Sequence, residues 1–586
     1  MRRAVAGLSF LLLGAGVRPT SAQAAERTYV AAGGAAEYVV AMAPRPTRLV
    51  GAAALAALER ARDAGASAAA DAPLADATPA TVPTPGADAT TWLTGSAPFG
   101  LAADKPPPGT GAALAPSPTE RIALLRVRRS FRAGAEAASV RVLRLRARYR
   151  DGLVVRLNGT EIARRNLAFD AAPQAFAQRT RGPEWETFYI DAQAASLHAG
   201  DNLLELEVRP HAARAAPALD FELIGGEQAR IVRGPIVQRV GESEATVVFE
   251  TDAPVTGELR WGTAESSYGA RLTTPPGVRH VFYLAGLPRD AAIHYQVATP
   301  EGASPDYVFH TAPRAGEPMR FVVYGDVRSG HETHARVLAA VAGEAPDFIL
   351  TSGDMVLRGT DEADWQRYFE IAGAVLARYC VYPAIGNHDA GAAAGTRHLE
   401  DIFALPPAPL DRPLGAAWYS FDVADVHVVM LDSNRYDDDA QLAWLDADLA
   451  AARARHVRAI FAVCHHGPWS RGLHLGNDLA REKYVPVLEK HRVAVIFSGH
   501  DHFYQRGRVG GLTYVVSGGG GAALYQPRCG VPGKKACRGP GSKDGMQAIV
   551  SEYHYVLVEV LRDEVQLCPR RPDGTAIEAC VSVKLR

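Results

Sequence analysis

Five apolar runs in the second half of the chain each lead into a short motif that mixes glycine with carboxylate, amide or imidazole side chains. The motifs are Gly325-Asp326, Gly353-Asp354, Gly386-Asn387-His388-Asp389, Cys464-His465-His466-Gly467-Pro468 and Gly499-His500-Asp501-His502. The runs themselves (321–324, 348–351, 381–385, 460–463 and 493–497, with further runs at 427–431 and 513–516) are the length and composition of strands buried on both faces. Amphipathic spacing predicts helices over 332–341, 362–376, 440–453 and 478–491. Strand–helix alternation implies an α/β fold, and such folds place their sites beyond the C-terminal ends of strands. One such motif would mean little, but five in order constrain both the fold and what it can hold.

A chain of 586 residues is too long for a single hydrophobic core, so several domains are expected. Lys+Arg at 63 against Asp+Glu at 64 leaves a net charge of -1. No global basic field gathers nucleic acid, so polymer binding would need a local patch. Residues 1–24 read as an export signal: Arg2 and Arg3 precede an apolar stretch, and Ala22-Gln23-Ala24 offers a small-residue cleavage site. The expected location is therefore exported, periplasmic or extracellular. No later segment is long and apolar enough to cross a bilayer.

All six cysteines fall from Cys380 onward. Cys529 with Cys537 and Cys568 with Cys580 are close pairs suited to disulfides in an oxidising compartment. Cys380 and Cys464 sit on or beside core strands, where a third bridge and two inert thiols are both open.

Residues 25–120 are rich in Ala, Pro, Gly and Thr, with a candidate helix over 49–67 and loops at 78–85 and 105–119. From 121 to 226 short alternating strands are separated by turn pairs such as Asp151-Gly152 and Asn158-Gly159, as in an antiparallel sandwich. The string Asp151-Gly152-Leu153-Val154-Val155-Arg156-Leu157-Asn158-Gly159 resembles the galactose-binding-like jelly-roll modules appended to secreted hydrolases. That resemblance implies glycan or cell-surface contact; a structural spacer is the alternative. Residues 230–314 form a second all-β unit. Its Thr246-Val247-Val248-Phe249 and Gly257-Glu258-Leu259-Arg260-Trp261-Gly262 resemble the fibronectin-III-like domain that precedes the catalytic domain of purple acid phosphatases.

Residues 318–586 hold the five motifs. Carboxylate, amide oxygen and imidazole suit hard or borderline divalent ions. Two such ions about 3.5–4 Å apart are well served by a shared carboxylate. The motifs, with Gly518-Gly519-Gly520-Gly521-Ala522 after the run 513–516, resemble the calcineurin-like metallophosphoesterases, most closely those related to purple acid phosphatases. The resemblance implies an α/β/β/α metallophosphoesterase sandwich preceded by two all-β sandwich domains. It also implies one metal on Asp326, Asp354 and His502 and a second on Asp354, Asn387, His466 and His500, with zinc, manganese or iron all admissible. Of the adjacent imidazoles, His466 matches the family's Val-x-x-His followed by x-Pro through Val463 and Pro468, leaving His465 a structural neighbour. The implied reaction is hydrolysis of phosphomonoesters or phosphodiesters by a metal-bridging hydroxide. His388 is the candidate general acid or transition-state stabiliser, with His474 as an assistant.

Two positions depart from the family pattern. The first motif continues Asp326-Val327-Arg328 where many members have Asp-x-His, and Leu357 stands where purple acid phosphatases place a tyrosine. The first metal then lacks a fourth protein ligand of either familiar type. His331 is a candidate substitute, and a helix-start role is its alternative. Arg328 is the candidate phosphate clamp, through its planar fork; His334 is expected on a helix face. A catalytically idle surface or glycan-binding protein is the reading of a different class, and the near-complete ligand set argues against it.

Overall fold

The apolar runs form strands because alternate side chains must be buried on both sides of two stacked sheets. Strands Met319–Tyr324, Phe348–Thr351 and Cys380–Pro383 pair in parallel, and Tyr555–Val560 joins antiparallel on the other side of the first. Glu564–Arg570 and Val581–Lys584 complete a six-stranded sheet. A seven-stranded sheet is built around Val426–Met430, Ala459–Val463, Val495–Ser498 and Leu512–Ser517, also parallel to one another. Phe321, Val323, Phe348 and Leu350 of one sheet meet Phe461, Val463, Phe497 and Val515 of the other in one core. The opposite faces carry the helices: Val322 and Ile349 lie with Val337 and Trp365, and Ile460 and Ala462 with Leu445 and Leu449. This α/β/β/α order is the architecture the metallophosphoesterase resemblance implies.

The computed structural model describes residues 26–32, 35–44, 93–96, 99 and 120–585, apart from 169–174, 212–216, 392–398, 408–415, 532 and 539–542. The expected export signal 1–24, the expected helix 49–67 and the Pro-rich stretches 78–85 and 105–119 lie outside the described residues. Among the described residues no helix is long and apolar enough to cross a membrane.

Before the double sheet come four antiparallel sheets. A four-stranded and a six-stranded sheet enclose a core of Leu125, Leu145, Tyr149, Val155, Leu206 and Phe221, among others. Asn158 (φ 51°) and Gly159 (φ 82°) make the two-residue turn between Gly152–Leu157 and Thr160–Arg165. Positive φ at both central positions is what a type I′ hairpin requires. Strands Arg27–Val30, Ala35–Pro44 and Leu93–Ser96 belong to these same sheets; Ala35–Pro44 lies against Glu120–Ala133. A three-stranded and a five-stranded sheet then follow between Ile231 and His310.

The first sandwich grips the double sheet at one helix. Gln366 reads the edge strand Glu184–Asp191, donating from Nε2 to the Thr187 carbonyl at 2.8 Å and accepting from the Thr187 N–H at 3.0 Å. Arg181 lies over the Tyr149 ring at 4.0 Å and reaches Asp361, the N-cap of Glu362–Leu376, at 3.0 Å. Arg358 faces Glu184, and Arg233, from the three-stranded sheet that follows, pairs with Glu362 of the same helix. Trp185 is covered by the Arg146 guanidinium at 4.5 Å.

The disulfides Cys529–Cys537 and Cys568–Cys580 form as the spacing predicts. Cys380 and Cys464 are separate buried thiols, and burial pushes both up, to about 11 and about 12.

Candidate metal centre

Glycine makes the site possible by letting the chain turn immediately after a strand. Asp326, Asp354 and His500 all adopt the left-handed region, at φ 58°, 56° and 70°, each directly after a glycine. Such a conformation costs a side-chain-bearing residue roughly 1–2 kcal/mol, so it persists only where the surroundings enforce it. The neighbouring glycines are also spatially forced. A Cβ on Gly386 would stand 2.1 Å from Asp354 Oδ1, and one on Gly499 would stand 2.3 Å from Asp326 Oδ2.

The turns bring side chains from both sheets into one buried cluster. His465 donates from Nδ1 to the Ser352 carbonyl at 2.9 Å, which turns the lone pair of Nε2 inward. That Nε2 lies 3.0 Å from Asn387 Oδ1, 3.2 Å from His500 Nδ1 and 3.4 Å from Asp354 Oδ1. His502 Nε2 lies 3.5 Å from Asp326 Oδ1, and its Nδ1 donates to the Ala523 carbonyl at 2.7 Å. His466 and His500 have ring centroids 4.2 Å apart. Two groups of donors are compact enough to hold an ion: Asp326, Asp354 and His465, and His465, His466 and His500.

This donor set fits divalent cations, on the physical test of its lone pairs. Acceptor atoms face one another across about 3 Å in a buried space, an arrangement that repels unless a proton or cation stands between them. Burial pushes the His465 pKa down, but the Asp354 and Asp326 carboxylates outweigh it and raise the value. Burial likewise works against ionised Asp354, yet His465, His388 and Arg328 hold it well below the usual carboxylate range. His466 is depressed to about 3 by burial and by His465, and His500 is driven well below its ordinary value by burial and its imidazole neighbours. Neutral imidazoles with inward lone pairs are metal ligands in waiting.

The expected residues converge, with one exchange of emphasis. Asp326, Asp354, Asn387, His500 and His502 lie in the cluster as expected. Of the adjacent imidazoles, it is His465 that stands among Asp354, Asn387 and His500, whereas the reading above makes it a structural neighbour. His466 Nδ1 is engaged with Ser433 Oγ at 2.9 Å, which leaves Nε2 as its one ring nitrogen available to an ion. His388 donates from Nδ1 to the Leu357 carbonyl at 2.8 Å, leaving Nε2 4.0 Å from Asp354 Oδ2. Arg328 Nε is 3.3 Å from the same oxygen and has no hydrogen-bond partner there. The His474 ring lies 3.7 Å from that of His500, its Nε2 buried and unpartnered, its pKa lowered to about 4 by burial and neighbouring cations. His331 stands exposed at the start of its helix, and His334 is buried against Tyr324 and Tyr368.

Several supporting residues escape a motif reading. Asp389 accepts from the backbone N–H groups of Asp354 (2.7 Å), Met355 (2.9 Å), Val356 (3.1 Å) and Gly386 (3.0 Å), so it clamps the two ligand loops together. Burial and the Asp354 charge raise it to about 7. Ser433 Oγ accepts from the N–H groups of both His465 and His466. Asp501 takes the Ser470 hydroxyl at 2.5 Å and the Leu473 N–H at 2.8 Å, shaping the loop that carries His474. Tyr525 stacks on His502 at 4.0 Å.

A double sheet with an α/β/β/α order and a buried two-carboxylate, multi-imidazole cluster at its strand ends defines a metallophosphoesterase-type domain. The family model for calcineurin-like phosphoesterases matches residues 319–504. Among curated proteins it is 27% identical over 290 residues to Purple acid phosphatase 22 of Arabidopsis thaliana, spanning 46% of this chain and 65% of that protein. It is 26% identical over 365 residues to an uncharacterized protein of Mycobacterium tuberculosis, spanning 48% of this chain and 68% of that one. The alignments thus span about two thirds of these relatives' own lengths. The solved purple acid phosphatase PPD1 from yellow lupin seeds shares the fold, with a TM-score of 0.52 at 15% identity over 79% of this chain and 93% of that one.

Proposed function

We propose that the chain is an exported, binuclear metal-dependent phosphoesterase that hydrolyses phosphomonoesters or phosphodiesters. The observation that carries this reading is the position of His465 Nε2, held within 3.0–3.4 Å of Asn387, His500 and Asp354. Asp354 is the carboxylate placed to be shared. His502 stands by Asp326, Asn387 and His500 stand by His465, and His465 lies within reach of both carboxylates and of His466. Zinc, manganese or iron bound there would supply Lewis-acid charge and a nucleophilic water at neutral pH.

The remaining steps belong to the chain's own side chains. Arg328 holds its guanidinium over Asp354 Oδ2, where it can swing to meet a phosphoryl oxygen through its planar fork. His388, oriented by the Leu357 carbonyl, presents Nε2 to the space beside Asp354 and is the group placed to deliver a proton to the leaving oxygen. His474 closes the side of the cluster formed by His500. The two disulfides support residence in an oxidising compartment.

An aryl phosphate assayed with added zinc, manganese or iron tests the reading. Turnover that disappears in Asp354→Asn and in His500→Ala supports it. Wild-type protein that binds these metals yet turns over neither an aryl monoester nor an aryl diester refutes it.

A further inference from the structure

The segment 525–545 contains five cations, Arg528, Lys534, Lys535, Arg538 and Lys543, and one carboxylate, Asp544. Asp544 is buried and fully engaged by Arg471, with Nε and Nη2 each at 2.7 Å from its two oxygens. The five cations are exposed, and among the described residues none is paired with a carboxylate. In a chain of net charge -1, this is a strong local field.

The segment is also a built arm, anchored beside the metal cluster. Tyr525 donates its N–H to the His502 carbonyl at 3.0 Å and stacks its ring on that imidazole. Arg528 donates its N–H to the Arg471 carbonyl at 2.7 Å, and Arg471 Nη1 returns a bond to the Gly530 carbonyl at 2.7 Å. The Cys529–Cys537 disulfide and the Gly530 N–H to Lys535 carbonyl bond, 2.7 Å, close the arm into a turn. Arg471 lies three positions before His474, whose ring lies 3.7 Å from that of His500. Three residues of extended chain separate Arg528 from Tyr525, a reach of at most about 10–11 Å.

Resting on the phosphoesterase reading above, we propose that this stapled arm selects small substrates bearing more than one phosphate. One phosphate lies at the metal cluster, and the others lie against Arg528, Lys534 and Lys535. Exposed cations screened by salt contribute little singly. Three acting on one polyanion give a preference that is modest per residue and large together.

Calorimetry of the metal-loaded full chain with inorganic phosphate and inorganic triphosphate tests the arm apart from turnover. Wild type is expected to bind triphosphate at least about tenfold tighter than phosphate at low salt, the ratio shrinking as salt rises. The triple variant Arg528→Ala/Lys534→Ala/Lys535→Ala should lose that ratio while its phosphate affinity stays within about twofold, since single exposed charges contribute little to a monoanionic or dianionic ligand. Equal affinities in wild type, or a ratio unmoved in the triple variant, overturn the proposal. A single-stranded oligonucleotide that binds tighter than triphosphate and loses affinity in the same variant also overturns it, in favour of a polymer substrate. An aryl phosphate assay in parallel separates the two claims: no turnover there removes the phosphoesterase reading, while the triphosphate ratio judges the arm.

Discussion

The β-rich N-terminal half and the double-sheet domain both bury charge, on opposite terms. In the first, the buried charges of Arg144, Glu186 and Arg209 each meet a complement. Arg144 donates to Asp252 at 2.7 Å, to Glu26 at 2.9 Å and to the Gln228 carbonyl at 2.9 Å. Glu186 accepts from Tyr149 at 2.6 Å and from Arg165 at 2.7 Å, and Arg209 pairs with Glu207 at 2.6 Å. In the second, Asp326, Asp354, Asn387, His465 and His500 turn acceptors toward acceptors, and three of the ligand loops carry left-handed non-glycine residues. A matched buried charge is architecture, costly to break but complete. A mismatched one is a place built for something the chain does not itself supply.

That contrast can be broken by substitutions on each side. The largest effect is expected at Asp354, the carboxylate shared between both halves of the cluster. Asp354→Asn should lower kcat for an aryl phosphate by about 10³-fold or more, about 4 kcal/mol of barrier, and should lower bound metal in elemental analysis. On the matched side, Arg181→Met removes one cation from Asp361 and from Glu186 and should destabilise the fold by about 2 kcal/mol, read as a lower denaturation midpoint, with metal content unchanged. Loss of metal in that variant would show that the first sandwich also shapes the cluster.

Within the cluster, the two adjacent imidazoles separate ligand from neighbour. His465→Ala should cost activity and metal affinity by about 10²-fold, His466→Ala by about tenfold, the range for a group supporting a metal site. Equal losses would mean that both are ligands. The smallest effect is a matter of pH in the outer layer. Burial works against charging His427, but its hydrogen bonds to Asp422 (2.6 Å) and Asp448 (2.8 Å) outweigh it and raise its pKa. A raised folded value means the stabilisation is fully present below the ordinary histidine range and fades as pH climbs through that raised value. Denaturation midpoints of wild type should therefore fall over that window, and those of His427→Gln should fall less.

Much of this was legible in the sequence for physical reasons. Strands buried on both faces demand unbroken apolar runs, and the cluster demands glycine beside carboxylate and imidazole, so the double sheet and most of its donors announce themselves. The failures are equally instructive. Ala35–Pro44 pairs with Glu120–Ala133 across a long intervening segment, and nothing local in an Ala-rich stretch ending in proline signals that partner. Tyr555–Val560 enters the first sheet beside Met319–Tyr324, again a distant pairing. The choice between His465 and His466 turns on one residue in the bend that follows Ala459–Val463, where both rings face His500. A Val-x-x-His pattern counts positions along the chain; the Ser433 hydroxyl and Ser352 carbonyl decide which ring turns inward.

The most direct test of the account is the metal content of the chain purified without added chelator, measured with its melting temperature before and after chelation. A cluster of mismatched donors predicts about two zinc, manganese or iron ions per chain and a melting temperature that drops on chelation and returns when metal is restored. Protein that carries no such metal, and melts at the same temperature with or without chelator, would contradict it.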